Sequence, residues 1–213
     1  MTAKARVFPS RWPSLVVHLI VAAGIPANAI TAASLILGAL GSVALTLDRF
    51  ELAVVPVVLS FVGDALDGQV ARRSGRKSVG GALFDATADR YQELFVLGAL
   101  AMLFRINAAM LGLTLFAIAG SFMVSYGSAK AEAFQVPVPS GLMRRAARAA
   151  WMASGVALVP VLRAVGARFP EALGAEHAPV LVAVAAIAVV GNASAVARLR
   201  AVARSHDSQK AIS

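Results

Sequence analysis

Four aspartates stand on a fixed spacing in the first half of the chain. Asp64, Asp67, Asp85 and Asp89 are interleaved with Gly68, Ala71, Arg72 and Gly81, giving D-x2-D-G-x2-A-R-x8-G-x3-D-x3-D over 26 residues. Carboxylates are hard oxygen ligands suited to magnesium, manganese or calcium. Their setting sharpens the point, because 59% of the 213 residues are hydrophobic and only 15% are charged. An ionised side chain near a bilayer centre costs roughly 2.5–3.5 kcal/mol on insertion scales, so such a group needs a compensating partner. Two divalent cations would neutralise the set. Two metals a few ångström apart are a recurring device for stabilising attacking and leaving oxygens in phosphoryl transfer.

Helical geometry gathers these residues. Each residue turns by about 100°, so Asp64, Asp67, Gly68 and Ala71 share one face, with Arg72 at its edge. Gly81, Asp85 and Asp89 step by four and stack along one stripe of the next helix. The short connection from Arg73 to Gly80 makes the two helices antiparallel neighbours whose polar faces converge near a membrane surface. Gly68 and Ala71 leave a flat patch for a planar base, and Gly81 does the same opposite or lets the helices pack closely. Arg72 offers a fork for phosphate oxygens.

The elements that must hold this hairpin are apolar helices. Mean hydropathy is +0.75, and six apolar runs fall at Asn28–Leu47, Glu51–Arg73, Gly80–Phe104, Asn107–Glu132, Ala147–Ala167 and Pro179–Ala197. Each is near the ~20 residues that cross a bilayer as helix. Asp48 and Arg49, Gly75 and Gly80, and Pro137 and Pro139 punctuate the joints. Ahead of them, Phe8–Gly24 carries Arg11, Trp12 and an apolar part too short to span, and reads as a helix lying in the interface. The expectation is one all-α membrane domain over residues 1–213: an interfacial amphipathic segment (1–27), a core of six transmembrane helices (28–197) and a cytoplasmic tail (198–213).

Charge sets the orientation. With the N terminus inside, 15 Lys and Arg fall on the inner side and 4 on the outer, which puts the Asp64–Asp89 hairpin at the cytoplasmic face of the inner membrane. The net charge of +9 sits at the ends of apolar runs and is not interleaved with aromatics. That placement fits anionic lipid rather than nucleic acid. The absence of cysteine excludes disulfides and thiolate metal sites.

The eight-residue spacing is similar to the signature of the CDP-alcohol phosphotransferase family, and all eight positions are filled. Asn28-Ala29-Ile30-Thr31 resembles the element that opens the family's first span, with Ala27 where a proline is usual. The resemblance implies two divalent cations, Mg2+ or Mn2+, held by Asp64, Asp67, Asp85 and Asp89, with Asp89 also the general base. It implies a CDP-linked lipid donor such as CDP-diacylglycerol or an archaeal ether equivalent, its nucleotide met by Gly68, Ala71, Arg72, Gly81, Asn28 and Thr31. A small polar alcohol would be the acceptor, CMP the leaving group and a homodimer the assembly.

The acceptor is written elsewhere. Asp89-Arg90, the stretch from Ser125 to Glu132 and the Arg145–Arg148 pair resemble the branch that makes phosphatidylinositol phosphate, although Ser128 replaces a usual Lys. On that resemblance Lys130, Arg145 and Arg148 would grip an acceptor's phosphate. Positive-inside anchoring by Arg144, Arg145 and Arg148 is the competing reading, and Glu93 would orient Arg90 or the acceptor, or pair with a base. Glycerol 3-phosphate and serine are the other acceptors. An Asp-rich prenyltransferase, an ion transporter and a non-catalytic family member are the alternatives of other classes. Against a transporter, the acids of the apolar runs concentrate in two adjacent helices.

Overall fold

The computed structural model describes residues 11–75, 78–137, 143–168 and 176–210, and every regular element among them is helical. In chain order these are α1 (Arg11–Ala22), α2 (Ala27–Thr46), α3 (Phe50–Arg73), α4 (Val79–Leu103), α5 (Ala108–Ala133), α6 (Arg145–Arg168), α7 (Ala178–Ala186), a π-helical turn (Ile187–Gly191) and α8 (Asn192–Lys210). Each of the six apolar runs is helical. The last continues past Ala197 to Lys210, so the expected tail begins as helix. Phe8 to Ser10, Pro139 and Gly141 lie outside the described residues.

Four helical stretches, Ala27–Thr46, Ala108–Ala133, Arg145–Gly166 and Ala178–Ser205, are long and apolar enough to cross a membrane. Helices α3 and α4 match them in length at 24 and 25 residues but carry the motif's acids. Side chains start two of the helices. Ser78 accepts from the Gly81 amide at 3.0 Å to cap α4, and Asn107 accepts from the Met110 amide at 3.1 Å to cap α5.

The packing order departs from the expected hairpin. Helices α3 and α4 scarcely touch each other, and α2 lies along both. The reason is the face α2 offers: Thr31, Ser34, Gly38, Gly41, Ser42 and Leu45 are buried at helical spacing, and most are small. A Cβ on Gly41 would lie 2.6 Å from Val57 Cγ2, so the α2–α3 approach depends on its absence. Across the same wedge, the Gln92 amide of α4 donates to Ser60 Oγ at 2.8 Å and to the Ser60 carbonyl at 3.2 Å. Buried apolar residues from α2 to α7 close the core further along, among them Phe50, Leu97, Leu100, Met152 and Val184.

Two residues beyond α2, the chain reverses at Asp48, whose φ of 57° is left-handed. Aspartate tolerates this better than most residues. Its side chain anchors a polar cluster: Arg163 of α6 donates to Asp48 Oδ1 at 2.7 Å and to the Asp48 carbonyl at 3.0 Å, and pairs with Glu176 at 3.1 Å. His177 sits 2.9 Å from the same carboxylate, between the rings of Phe50 and Phe104 at 5.6 and 5.8 Å. Burial pushes the Asp48 carboxyl up, but the hydrogen bonds and charges of His177 and Arg163 outweigh it and hold the group below its ordinary value.

Asp48→Asn keeps a residue that accepts this φ and removes the charge. At neutral pH the melting temperature should fall by about 1–4 °C, given up to about 1 kcal/mol for a pair this exposed. A lowered carboxyl contributes stability above its unfolded value of about 3.9 and loses it as pH falls through the folded value. The two proteins should therefore converge in acid. A gap that persists there would show that charge is not what links the cluster.

Candidate active site

The site assembles where α2 begins, α3 ends and α4 begins. The last turns of α3 carry Asp64, Asp67, Gly68, Ala71 and Arg72, and the first turns of α4 carry Gly81, Asp85 and Asp89. Single carboxylate oxygens of Asp64, Asp67 and Asp85 all lie within 4.8 Å of one another. Asp67 is 2% and Asp89 5% exposed. Thr31, on the first turn of α2, donates to Asp67 Oδ2 at 2.6 Å, so the wedge helix reaches the acid cluster directly.

Hydrogen bonding stops short of satisfying the acids. Asp67 Oδ1 and Asp85 Oδ1 are buried with no protein partner, and Asp89 Oδ1 makes no well-aligned hydrogen bond. Buried carboxylate oxygens without donors are expensive in an apolar chain. Arg145, at the start of α6, supplies the nearby cation: its guanidinium forms ion pairs with both Asp64 and Asp89. An acid cluster with open, inward-facing oxygens is a donor set that fits hard divalent cations.

Two cavities meet at Asp67 and Asp85, while Asp89 lies behind them and lines neither. The smaller, about 290 Å³, is lined by all of the residues expected on the nucleotide side (Asn28, Thr31, Gly68, Ala71, Arg72 and Gly81) together with Asp67 and Asp85. Gly81 bears on its size, since a Cβ there would lie 3.0 Å from Ser78 Oγ and 3.4 Å from Asn28 Oδ1. The larger, about 850 Å³, holds Asp64, Asp67, Asp85, Arg72 and Arg145 at its polar end. It then runs between α3 and α6 along Val58, Val62, Ala149 and Ala153, with Val16 of α1 at its edge. Arg72 faces both spaces.

The three basic residues expected around an acceptor are placed differently from one another. Arg145 stands against the acids. Arg148 is 1% exposed and donates to Glu93 Oε1 from Nε at 3.0 Å and from a terminal nitrogen at 2.6 Å. Lys130 is exposed, with its ammonium 5.5 Å from the Tyr126 ring centroid, and lines neither cavity. Two residues join the basic cluster that sequence reading had not placed there. Ser121 of α5 donates to Glu93. Arg198 of α8 bonds Ser128 and the Val124 carbonyl. Ser128, at the position where the resembling branch has Lys, is thus a partner of an arginine 70 residues away.

Comparison with known proteins agrees with this arrangement. The family model for CDP-alcohol phosphatidyltransferase matches residues 25–191. A bifunctional IPC transferase and DIPP synthase of Rubrobacter xylanophilus is 33% identical over 172 residues, 80% of this chain and 36% of that protein. A phosphatidylinositol phosphate synthase of Streptomyces avermitilis is 32% identical over 104 residues, 47% of this chain and 43% of its own length. The match thus spans less than two thirds of either relative. Among solved structures, the phosphatidylinositol phosphate synthase of Mycobacterium tuberculosis in complex with manganese and citrate aligns with a TM-score of 0.72 at 22% identity, covering 89% of this chain and 88% of that one. The same enzyme with CDP-DAG bound gives 0.71 at 22% identity, over 91% and 94%. At that identity the likeness is one of fold. With the family model covering most of its length and all eight motif positions filled, the chain belongs to the CDP-alcohol phosphatidyltransferase family.

Proposed function

We propose that this protein is a membrane-embedded phospholipid-synthesis enzyme that transfers a phosphatidyl group from a CDP-linked lipid, such as CDP-diacylglycerol, to the hydroxyl of a small polar alcohol, releasing CMP. The observation that carries the reading is the meeting of three things at one point: partnerless buried carboxylate oxygens, a small polar cavity, and a long groove with apolar walls. A CDP-lipid has that shape, with a nucleotide at one end, a pyrophosphate in the middle and chains at the other.

Asp64, Asp67, Asp85 and Asp89 would hold two divalent cations, Mg2+ or Mn2+. Bound there, the cations would offset the charge on the pyrophosphate and on the departing phosphate. Gly68, Ala71 and Gly81 give the base a wall with no side chain larger than a methyl, with Asn28 and Thr31 beside it. Arg72, facing both cavities, meets the phosphates between them. Asp89 accepts the proton of the acceptor hydroxyl. The freed oxygen attacks the lipid-side phosphorus, and the bond to CMP breaks with its electron pair on the CMP oxygen.

An inositol phosphate acceptor is the favoured choice. It is supported by the Asp89-Arg90 and Arg145–Arg148 resemblance, by Arg145 at the polar end of the larger cavity, and by relatives named for inositol phosphate chemistry. Glycerol 3-phosphate and serine remain the competitors. The membrane arrangement we infer has six spans, α1 lying in the interface over the groove, the acids at the cytoplasmic face of the inner membrane, and two copies per assembly. The length and apolarity of the helices and the 15-to-4 bias in basic residues support the spans and their orientation, and the two copies rest on the family resemblance.

Purified protein given CDP-diacylglycerol, Mg2+ or Mn2+ and one acceptor at a time should release CMP with inositol phosphate far faster than with the others. Release with glycerol 3-phosphate alone would reassign the acceptor, and no release with any acceptor would overturn the reaction. Asp89→Asn should lower turnover by at least about 10²-fold, the scale of a lost general base, while CDP-diacylglycerol still binds. Gly81→Leu should fill the smaller cavity and raise the donor's KM about tenfold or more. An unchanged KM would move the nucleotide elsewhere.

A further inference from the structure

Glu93 and Arg148 form a buried ion pair that the proposed chemistry does not touch directly. Glu93 is 2% and Arg148 1% exposed. Arg148 gives two hydrogen bonds to Glu93 Oε1, and its remaining terminal nitrogen donates to the Met143 carbonyl at 3.1 Å. Ser121 occupies the other Glu93 oxygen, with Arg90 3.6 Å from it. Every side of the pair is therefore engaged, by α4, α5 and the lead-in to α6.

The position of the pair gives it meaning. Asp89 and Glu93 are one turn apart on α4, and Arg145 and Arg148 are one turn apart on α6. The two helices are joined by two rungs, Asp89–Arg145 and Glu93–Arg148. Their backbones hardly approach each other, since α6 packs on α3 and α7. Helix α6 is seated on α3 and α7, and these rungs are its side-chain ties to α4, so the Glu93–Arg148 rung bears on where Arg145 stands against Asp89. Arg145 in turn claims Asp64 and Asp89, two of the carboxylates that a divalent cation would use.

Resting on the metal-dependent reading above, we propose that Glu93 is a positioning residue: by holding Arg148 it keeps Arg145 against Asp64 and Asp89, and so sets how readily those carboxylates take up a divalent cation. Arg145 is then a resident counter-ion that must yield as the cation arrives, and the Glu93–Arg148 rung governs how firmly it resists.

A double-mutant cycle on the full chain in detergent tests this, with Mn2+ affinity read from the EPR signal of free Mn2+ and melting temperature read alongside. Arg145→Gln removes the competitor and should tighten Mn2+ binding by roughly three- to tenfold, the scale of one partly screened ion pair. Glu93→Gln should shift affinity in the same direction but change nothing further in the Arg145→Gln background. Its cost in melting temperature, from a buried arginine left without its partner, should appear in both backgrounds. Arg148→Lys keeps the charge and loses the fork, and it takes the place of Glu93→Gln in the cycle if that variant does not fold. Equal factors in both backgrounds, or no change in affinity while stability falls, would reduce Glu93 to a structural role and overturn the proposal. Wild-type protein that neither binds Mn2+ nor releases CMP would instead sink the functional reading itself.

Discussion

The organising constraint in this protein is the cost of keeping carboxylates ionised where there is little water. In a chain so short of charged residues, the acids on α3 and α4 need opposite charge close by, and the structure answers from several directions. Thr31 satisfies one oxygen of Asp67, Arg145 counters Asp64 and Asp89, and Arg148 counters Glu93. What these do not reach, Asp67 Oδ1 and Asp85 Oδ1, is the part of the site left open to a cation. Structural pairing and ligand binding draw on the same set of lone pairs.

Helix α2 makes that arrangement possible. Its small buried face admits α3 on one side and α4 on the other, and its first turn delivers Thr31 and Asn28 to the space between them. A bulky α2 would part the acid-bearing helices and open the smaller cavity. Gly41 and Gly38 thus act on the site from several turns away, through backbone distance rather than through contact.

Much of this was legible in the chain, and the parts that were not share a cause. Helix positions agree to within one or two residues at most ends, because apolar runs of spanning length bounded by Asp48, Gly75 and Pro137 leave little choice. Within α3, helical period alone puts Asp64, Asp67, Gly68 and Ala71 on one face, whereas Asn28, Thr31 and Gly81 reach the same cavity from α2 and α4. Local period says nothing about which helices touch, so α3 and α4 were read as close neighbours when α2 stands between them. Pairings across long separations were equally hidden: Glu93 with Arg148, Ser128 with Arg198 and Asp48 with Arg163 are 55, 70 and 115 residues apart. The arginines announced a basic region, but only the fold divides them into one on the acids, one locked to a glutamate and one on α8.

The cluster at Asp48 has a consequence for the other end of the molecule. Arg163 ties α6 to the α2–α3 turn and to Glu176, roughly 27 Å by helical rise from Arg145. Between these two ends α6 packs along α3 and α7, with Pro160 inside it. A sideways travel of about 1 Å at Arg145 is a tilt of only roughly 2° over that length. The wall facing the groove is made of Ala146, Ala149, Ala150 and Ala153, whose small side chains leave the groove its width. The polar cluster at Asp48 and the acids at Asp64 and Asp89 are thus joined through one helix, and a change in how Arg163 is seated would be carried to Arg145.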